Sequence, residues 1–98
     1  MSELQVIARY RVAAGNETAV RGLLGRLAAA SQGEPGNVSF VAYAQLEDER
    51  DVVLLERYAS REALDAHRHT PHFNDLVLGK IVPLLESRVV ETYDVDDD

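Results

Sequence analysis

A chain of 98 residues, 46% hydrophobic and 28% charged, has the composition of one small folded domain whose core a second copy would help to complete. A net charge of -7 with ten scattered Lys and Arg excludes a phosphate-binding surface, so neither nucleic acid nor an anionic membrane is an expected partner. The absence of cysteine excludes disulfides, thiolate nucleophiles and thiolate metal sites.

No apolar run approaches the roughly 20 residues of a membrane span. The start Met-Ser-Glu-Leu-Gln lacks the basic and apolar regions of a signal peptide, so a cytoplasmic location is expected. One domain over residues 1–95 is expected, followed by the acidic tail 96–98.

Residues 4–12 alternate, with Leu4, Val6, Ala8, Tyr10 and Val12 on one face and Gln5, Ile7, Arg9 and Arg11 on the other, which predicts a strand. Ala14-Gly15-Asn16 breaks it, and Asn16 is placed to cap a helix with Glu17 in its first turn. Val20, Leu23, Leu24, Leu27 and Ala28 recur at helical spacing, so this helix runs to about Ser31 and ends at Gln32-Gly33-Glu34-Pro35-Gly36.

A second strand is predicted over residues 38–46, where Phe40 and Ala42 oppose Val41 and Tyr43. The charged turn 47–51 follows. Residues 52–55 then form an apolar third strand, expected to be covered on both faces and hairpin-paired with the second. Ser60 can cap a helix carrying Ala63, Leu64 and His67 on one side, and Thr70-Pro71 restarts it with Thr70 as cap and Pro71 at the first helical position.

Phe73, Leu76, Val77, Ile81, Leu84 and Leu85 continue the apolar stripe, with Gly79 and Pro83 expected to make its end irregular. Alternation over residues 89–95 predicts a fourth strand. The order β-α-β-β-α-β predicts an α+β ferredoxin-like sandwich, a four-stranded antiparallel sheet with both helices on one face. Ile7, Val41, Tyr43 and part of the 52–55 run are then left on the other face, and a second subunit is the simplest cover.

Three histidines fall within residues 67–72. His67 follows Leu64 by three positions and so points inward, where it is either a core histidine with one partner or a proton acceptor. His72 lies in a first helical turn, where the dipole favours a neutral ring able to donate a hydrogen bond. His69 belongs to the polar side. Pro71 breaks the helix between His69 and His72, so no metal site is expected.

Tyr43, opposite Phe40, can hold a polar ring substituent, and Tyr58 lies on a strand. Asn37 either binds ligand or serves the turn that precedes the second strand, while Arg9 either neutralises an anion or is ion-paired. No Gly-rich phosphate loop or Gly-x-Ser-x-Gly elbow is present, which disfavours nucleotide cofactors and serine hydrolysis.

Glu34-Pro35-Gly36-Asn37, then Glu56-x-Tyr58-x-Ser60-x-Glu62-Ala63-Leu64-x-Ala66-His67, then Thr70-Pro71-His72-Phe73, resemble the antibiotic biosynthesis monooxygenase family, which includes quinol monooxygenases. The resemblance spans nearly the whole chain and is most specific at residues 67–73. It implies dimeric α+β barrels of ferredoxin-like subunits, and oxygenation of a small quinol, phenol or anthrone by O2 with no cofactor and no metal.

On that basis His67, Tyr43 and Asn37 are the expected catalytic residues, His67 as proton acceptor with Tyr43 and Asn37 orienting the substrate oxygen. His72, Phe73, Tyr58 and Arg9 are expected to bind substrate, in a pocket walled on one side by residues 56–73 and on the other by the sheet face bearing Tyr43. The family's haem-degrading members carry an asparagine, a tryptophan and a histidine where this chain has Ala8, His67 and Val77, so haem degradation is not expected. The alternative is a non-oxygenase isomerase or degradation enzyme, or a ligand-binding dimer, on the same scaffold.

Overall fold

A computed structural model describes residues 2–95. β1 (Glu3–Val12), α1 (Glu17–Gln32), β2 (Asn37–Ala44), β3 (Asp51–Tyr58), α2 (Arg61–Arg68), a π-helical segment (Phe73–Ile81), a 3-10 turn (Val82–Leu84) and β4 (Leu85–Val95) follow one another. The four strands form one antiparallel sheet in the order β2-β3-β1-β4, the ferredoxin-like arrangement. Among the described residues no helix is long and apolar enough to cross a membrane. The expected acidic tail lies outside the described residues.

The two-residue period of β1 sends Leu4, Val6, Ala8, Tyr10 and Val12 to the helices, where all are buried. Phe40 from β2 and Val52, Leu54, Glu56 and Tyr58 from β3 join them. Above these lie Val20, Leu24 and Leu27 of α1, Leu64 and His67 of α2, and Leu76, Val77 and Ile81 of the π-helical segment.

The opposite face carries Ile7, Arg9, Val41, Tyr43, Val53, Leu55, Val89 and Tyr93, brought side by side by the pairings Ile7 with Leu55, Val41 with Leu55 and Tyr43 with Val53. Val41, Tyr43, Leu55, Val89 and Tyr93 are exposed there. β3 is thus covered on its helix side only, and the expectation of cover on both sides fails within this chain.

Several boundaries and caps differ from expectation for identifiable reasons. Asn16 occupies the N-cap of α1 but makes no capping bond; Glu17 Oε1 instead accepts from the Gly15 N–H at 3.0 Å. Gly15 has φ +93°, a conformation that favours glycine. Leu46 lies beyond β2 and is fully exposed. Leu85 opens β4 instead of closing the helix, because the 3-10 turn at Val82–Leu84 ends the helical run and Leu85 pairs with Val12.

Irregularity expected near Gly79 and Pro83 extends through the whole segment from Phe73. The Val82 N–H bonds the Val77 carbonyl five residues back, and a Cβ on Gly79 would lie 3.3 Å from the Asn74 carbonyl oxygen, also five residues back. π-Helical turns of this kind recur at functional sites.

Candidate functional site

Local chemistry positions the helix that carries His67. Ser60 accepts a 3.1 Å bond from the Ala63 N–H and starts α2. At its end Thr70 Oγ1 donates to the His67 carbonyl at 2.7 Å and accepts from the Phe73 N–H at 3.1 Å, which ends one helix and caps the next, as expected. His67, His72 and Phe73 are thereby held around one hydroxyl.

The turn after α1 brings a carboxylate to the same place. Gly36 lies so close to α2 that a Cβ there would collide with the Ala63 side chain, and its carbonyl accepts from the Ala59 N–H at 2.9 Å. This close approach sets Glu34 over α2. Glu34 Oε2 lies 2.9 Å from His67 Nδ1 and 2.5 Å from His72 Nε2, and Oε1 lies 3.2 Å from His67 Nδ1. A carboxylate only accepts, so both imidazoles donate to it and His67 is left with a lone pair on Nε2.

That lone pair faces a second carboxylate. Glu56 Oε1 is 3.9 Å from His67 Nε2 and accepts a 2.6 Å bond from the Tyr58 hydroxyl. Burial pushes the Glu56 carboxyl up to about 7, against the pull of the Tyr58 hydrogen bond. Burial, with the Glu56 charge adding to it, raises the Tyr58 phenol well above its ordinary range. Burial also lowers the His67 pKa, opposed by Glu34. In each of Glu56, Tyr58 and His67 burial works in favour of the neutral form.

Aromatic rings complete the surroundings of His67, with centroids at 5.2 Å for Tyr58, 5.3 Å for Phe73 and 6.1 Å for Phe40. A cavity of about 20 Å³, space for a water-sized molecule, lies beside it, lined by Phe40, Leu54, Glu56, Leu64, Phe73 and Val77 among others. The cluster can hold a neutral imidazole base among aromatic and aliphatic side chains, with the Glu56 carboxyl 3.9 Å from Nε2.

Of the sequence-predicted site residues, His67, His72, Phe73 and Tyr58 come together. Tyr43 and Arg9 do not, which corrects the pocket expected between residues 56–73 and the Tyr43 face. The parity of β2 that buries Phe40 turns Tyr43 to the opposite side of the sheet, where it lines a separate concavity with Arg9, Val53 and Val89. Arg9 is ion-paired there with Glu91 at 2.9 Å. Asn37 begins β2, and its amide donates to the Ser39 carbonyl at 3.3 Å, serving the strand start.

Glu34 and Glu56, the two carboxyl groups beside His67, are not among the site residues expected from the sequence. Glu56 had a readable signal, since it falls in period with Val52, Leu54 and Tyr58 on the buried face of β3. Glu34 lies in a turn, where no periodicity marks it.

The sequence profile of the antibiotic biosynthesis monooxygenase family matches residues 4–77. The chain belongs to that family. It is 39% identical over 72 residues to a Mycobacterium tuberculosis protein named "Putative monooxygenase Rv0793", the match spanning 74% of this chain and 70% of that one.

The solved structure of Rv0793 superposes with a TM-score of 0.89 at 32% identity, covering 99% of this chain and 98% of the other. A crystal structure described as an antibiotic biosynthesis monooxygenase gives a TM-score of 0.85 at 25% identity over 97% and 98% of the two chains. A conserved protein from Methanosarcina mazei, at 21% identity and a TM-score of 0.91 over 98% and 95%, shares the fold. The family assignment thus rests on sequence and structure together.

Proposed function

We propose that this chain is a cofactor-independent monooxygenase that oxidises a small electron-rich aromatic, of quinol, phenol or anthrone type, with O2, and that it works as a homodimer. The observation that carries the reading is the Nε2 of a buried His67, oriented by Glu34 and beside a small cavity lined by apolar side chains together with Glu56, Arg68 and Arg88. Membership of the family, and the naming of its relatives as monooxygenases, support it.

In the proposed reaction His67 takes the proton of a ring hydroxyl or acidic ring C–H, and the resulting anion reduces O2 by electron transfer. For an anthrone-type CH2 the substrate supplies all four electrons: two C–H bonds break, one oxygen atom enters as the carbonyl, and the other leaves as water. The protein contributes orientation and a dry site, with Tyr58 and Phe73 as walls and the His72 ring closing the Glu34 side. A ring needs more room than the cavity has here, and Phe73, at the junction with the π-helical segment, is the wall proposed to move.

Oxygen uptake by the purified protein with a quinol and anthrone panel tests the reading. Uptake above the buffer rate is expected, falling about 100-fold or more in His67→Ala, the scale of general-base catalysis. Uptake at the buffer rate with every substrate would sink it. A second reading is an isomerase or ligand-binding module on the same scaffold, and turnover under strict anaerobiosis would decide for the isomerase.

A further inference from the structure

We propose that Glu34, His67 and His72 form a binding site for a divalent transition-metal ion of the zinc class, and that the ion competes with base chemistry for the same imidazole. The binding goes beyond the proposed oxygenation and does not rest on it; the inhibition does.

Three donors from separate parts of the chain converge: Glu34 from the turn after α1, His67 from α2, and His72 from the helix restart. One ligand atom from each lies within 4.8 Å of the other two. Two imidazoles and a carboxylate are a zinc donor set that leaves a further position for water. The two imidazoles are of borderline softness, which suits Zn2+ and Co2+ over Mg2+ or Ca2+, while the carboxylate is a hard donor that any of these ions accepts.

The two Glu34 distances fit after a small opening, and the two imidazole nitrogens lie within 4.8 Å of each other. Zinc bonds of about 2.1 Å place tetrahedral donors roughly 3.4 Å apart. Glu34 and His67 are already at 2.9 to 3.2 Å, and the Glu34–His72 contact of 2.5 Å must widen by about 1 Å. His72 is the member free to move, with its side chain 23% exposed against 4% for His67 and 11% for Glu34.

A second carboxylate supports the inference independently. When His67 binds metal through Nδ1, its N–H passes to Nε2, which faces Glu56 Oε1 at 3.9 Å. Metal-bound histidines commonly donate their other N–H to a carboxylate; this one is anchored by Tyr58, and the 3.9 Å gap must close by roughly 1 Å to make that bond. Metal and base are therefore alternative tautomers of one ring. An occupied site has no Nε2 lone pair facing the cavity.

Untagged, chelator-stripped protein titrated with Zn2+ in a calorimeter, and with Co2+ by visible absorption, tests the site. One ion per chain and a Co2+ ligand-field band are expected. Glu34→Gln and His72→Ala should each abolish the band while keeping the wild-type circular dichroism, and His69→Ala, outside the cluster, should keep it. Glu56→Gln should weaken affinity about 10-fold.

Absence of stoichiometric binding in the wild type, or wild-type affinity in both Glu34→Gln and His72→Ala, overturns the proposal, as does loss of the band in His69→Ala. None of those results bears on oxygen uptake by metal-free protein. If uptake is present, Zn2+ should suppress it and chelator should restore it.

Discussion

The Tyr58 hydroxyl donates a 2.6 Å hydrogen bond to Glu56 Oε1, and both side chains are buried on the helix-facing side of β3. Two residues apart on a strand, they share a face, so one strand supplies both the acid and the donor that holds it. The pair lies directly beneath His67, with the Tyr58 and His67 ring centroids 5.2 Å apart.

Glu56 makes stability depend on pH with a sign opposite to that of most carboxylates. Its folded pKa of about 7 exceeds the ordinary 4.5, so the native state binds the proton more tightly. Stability is greatest below about 4.5 and falls as pH rises to about 7, by about 3 kcal/mol across the window from this group alone. The lowered His67 pKa acts in the other direction as pH falls below its ordinary value. Comparing wild type with Glu56→Gln isolates the carboxyl: chemical denaturation should show the variant gaining on wild type from pH 5 to pH 8. A constant difference across that range would refute the assignment.

Removing the donor tests the same pair from the other side. Tyr58→Phe should cost about 1.5–3 kcal/mol above pH 7, where Glu56 is charged, and less at pH 5, as hydrogen bonds to charged groups exceed neutral ones. Urea unfolding at both pH values reads it. Equal cost at both would mean that the bond does not depend on charge.

Gly36 and Ala63 hold the Glu34 turn against α2. Gly36→Ala should destabilise by about 1–3 kcal/mol through overpacking. Because the clash is with one methyl group, Gly36→Ala combined with Ala63→Gly should cost less than the two single changes summed. A strictly additive double-mutant cycle would show that the approach is not what restricts residue 36.

The open sheet face predicts association. Leu55 lies between Ile7 and Val41 in the pairing register and is exposed among apolar neighbours. Sedimentation at micromolar concentration should find a dimer, and Leu55→Glu should convert it to monomer while leaving the fold intact. A stable 10.8 kDa monomer of the wild type would exclude this use of the face.

Much of the architecture was readable because it depends on local period. The alternation in β1 and the helical spacing of Val20, Leu24 and Leu27 name the buried faces that the structure shows. Less readable was the stretch from Phe73 to Leu85, where apolar residues at helical spacing continue into a π-helical segment, a 3-10 turn and the start of β4. Apolar spacing there did not specify which carbonyl each N–H would meet. Tyr43 shows the complementary limit: its parity against Phe40 is local, whereas its separation from His67 and Phe73 follows from the sheet lying between them.

By itself the sequence determined the order of elements, their inward faces, the caps at Ser60 and Thr70, and the inward direction of His67, all consequences of neighbours within a few residues. Only the tertiary structure decided that Glu34 would meet His67 and His72, 33 and 38 residues away, and that Glu56 would lie beneath them. The reason is physical: those contacts depend on how closely the Gly36 backbone packs on Ala63, which is a property of two surfaces meeting and not of either segment alone.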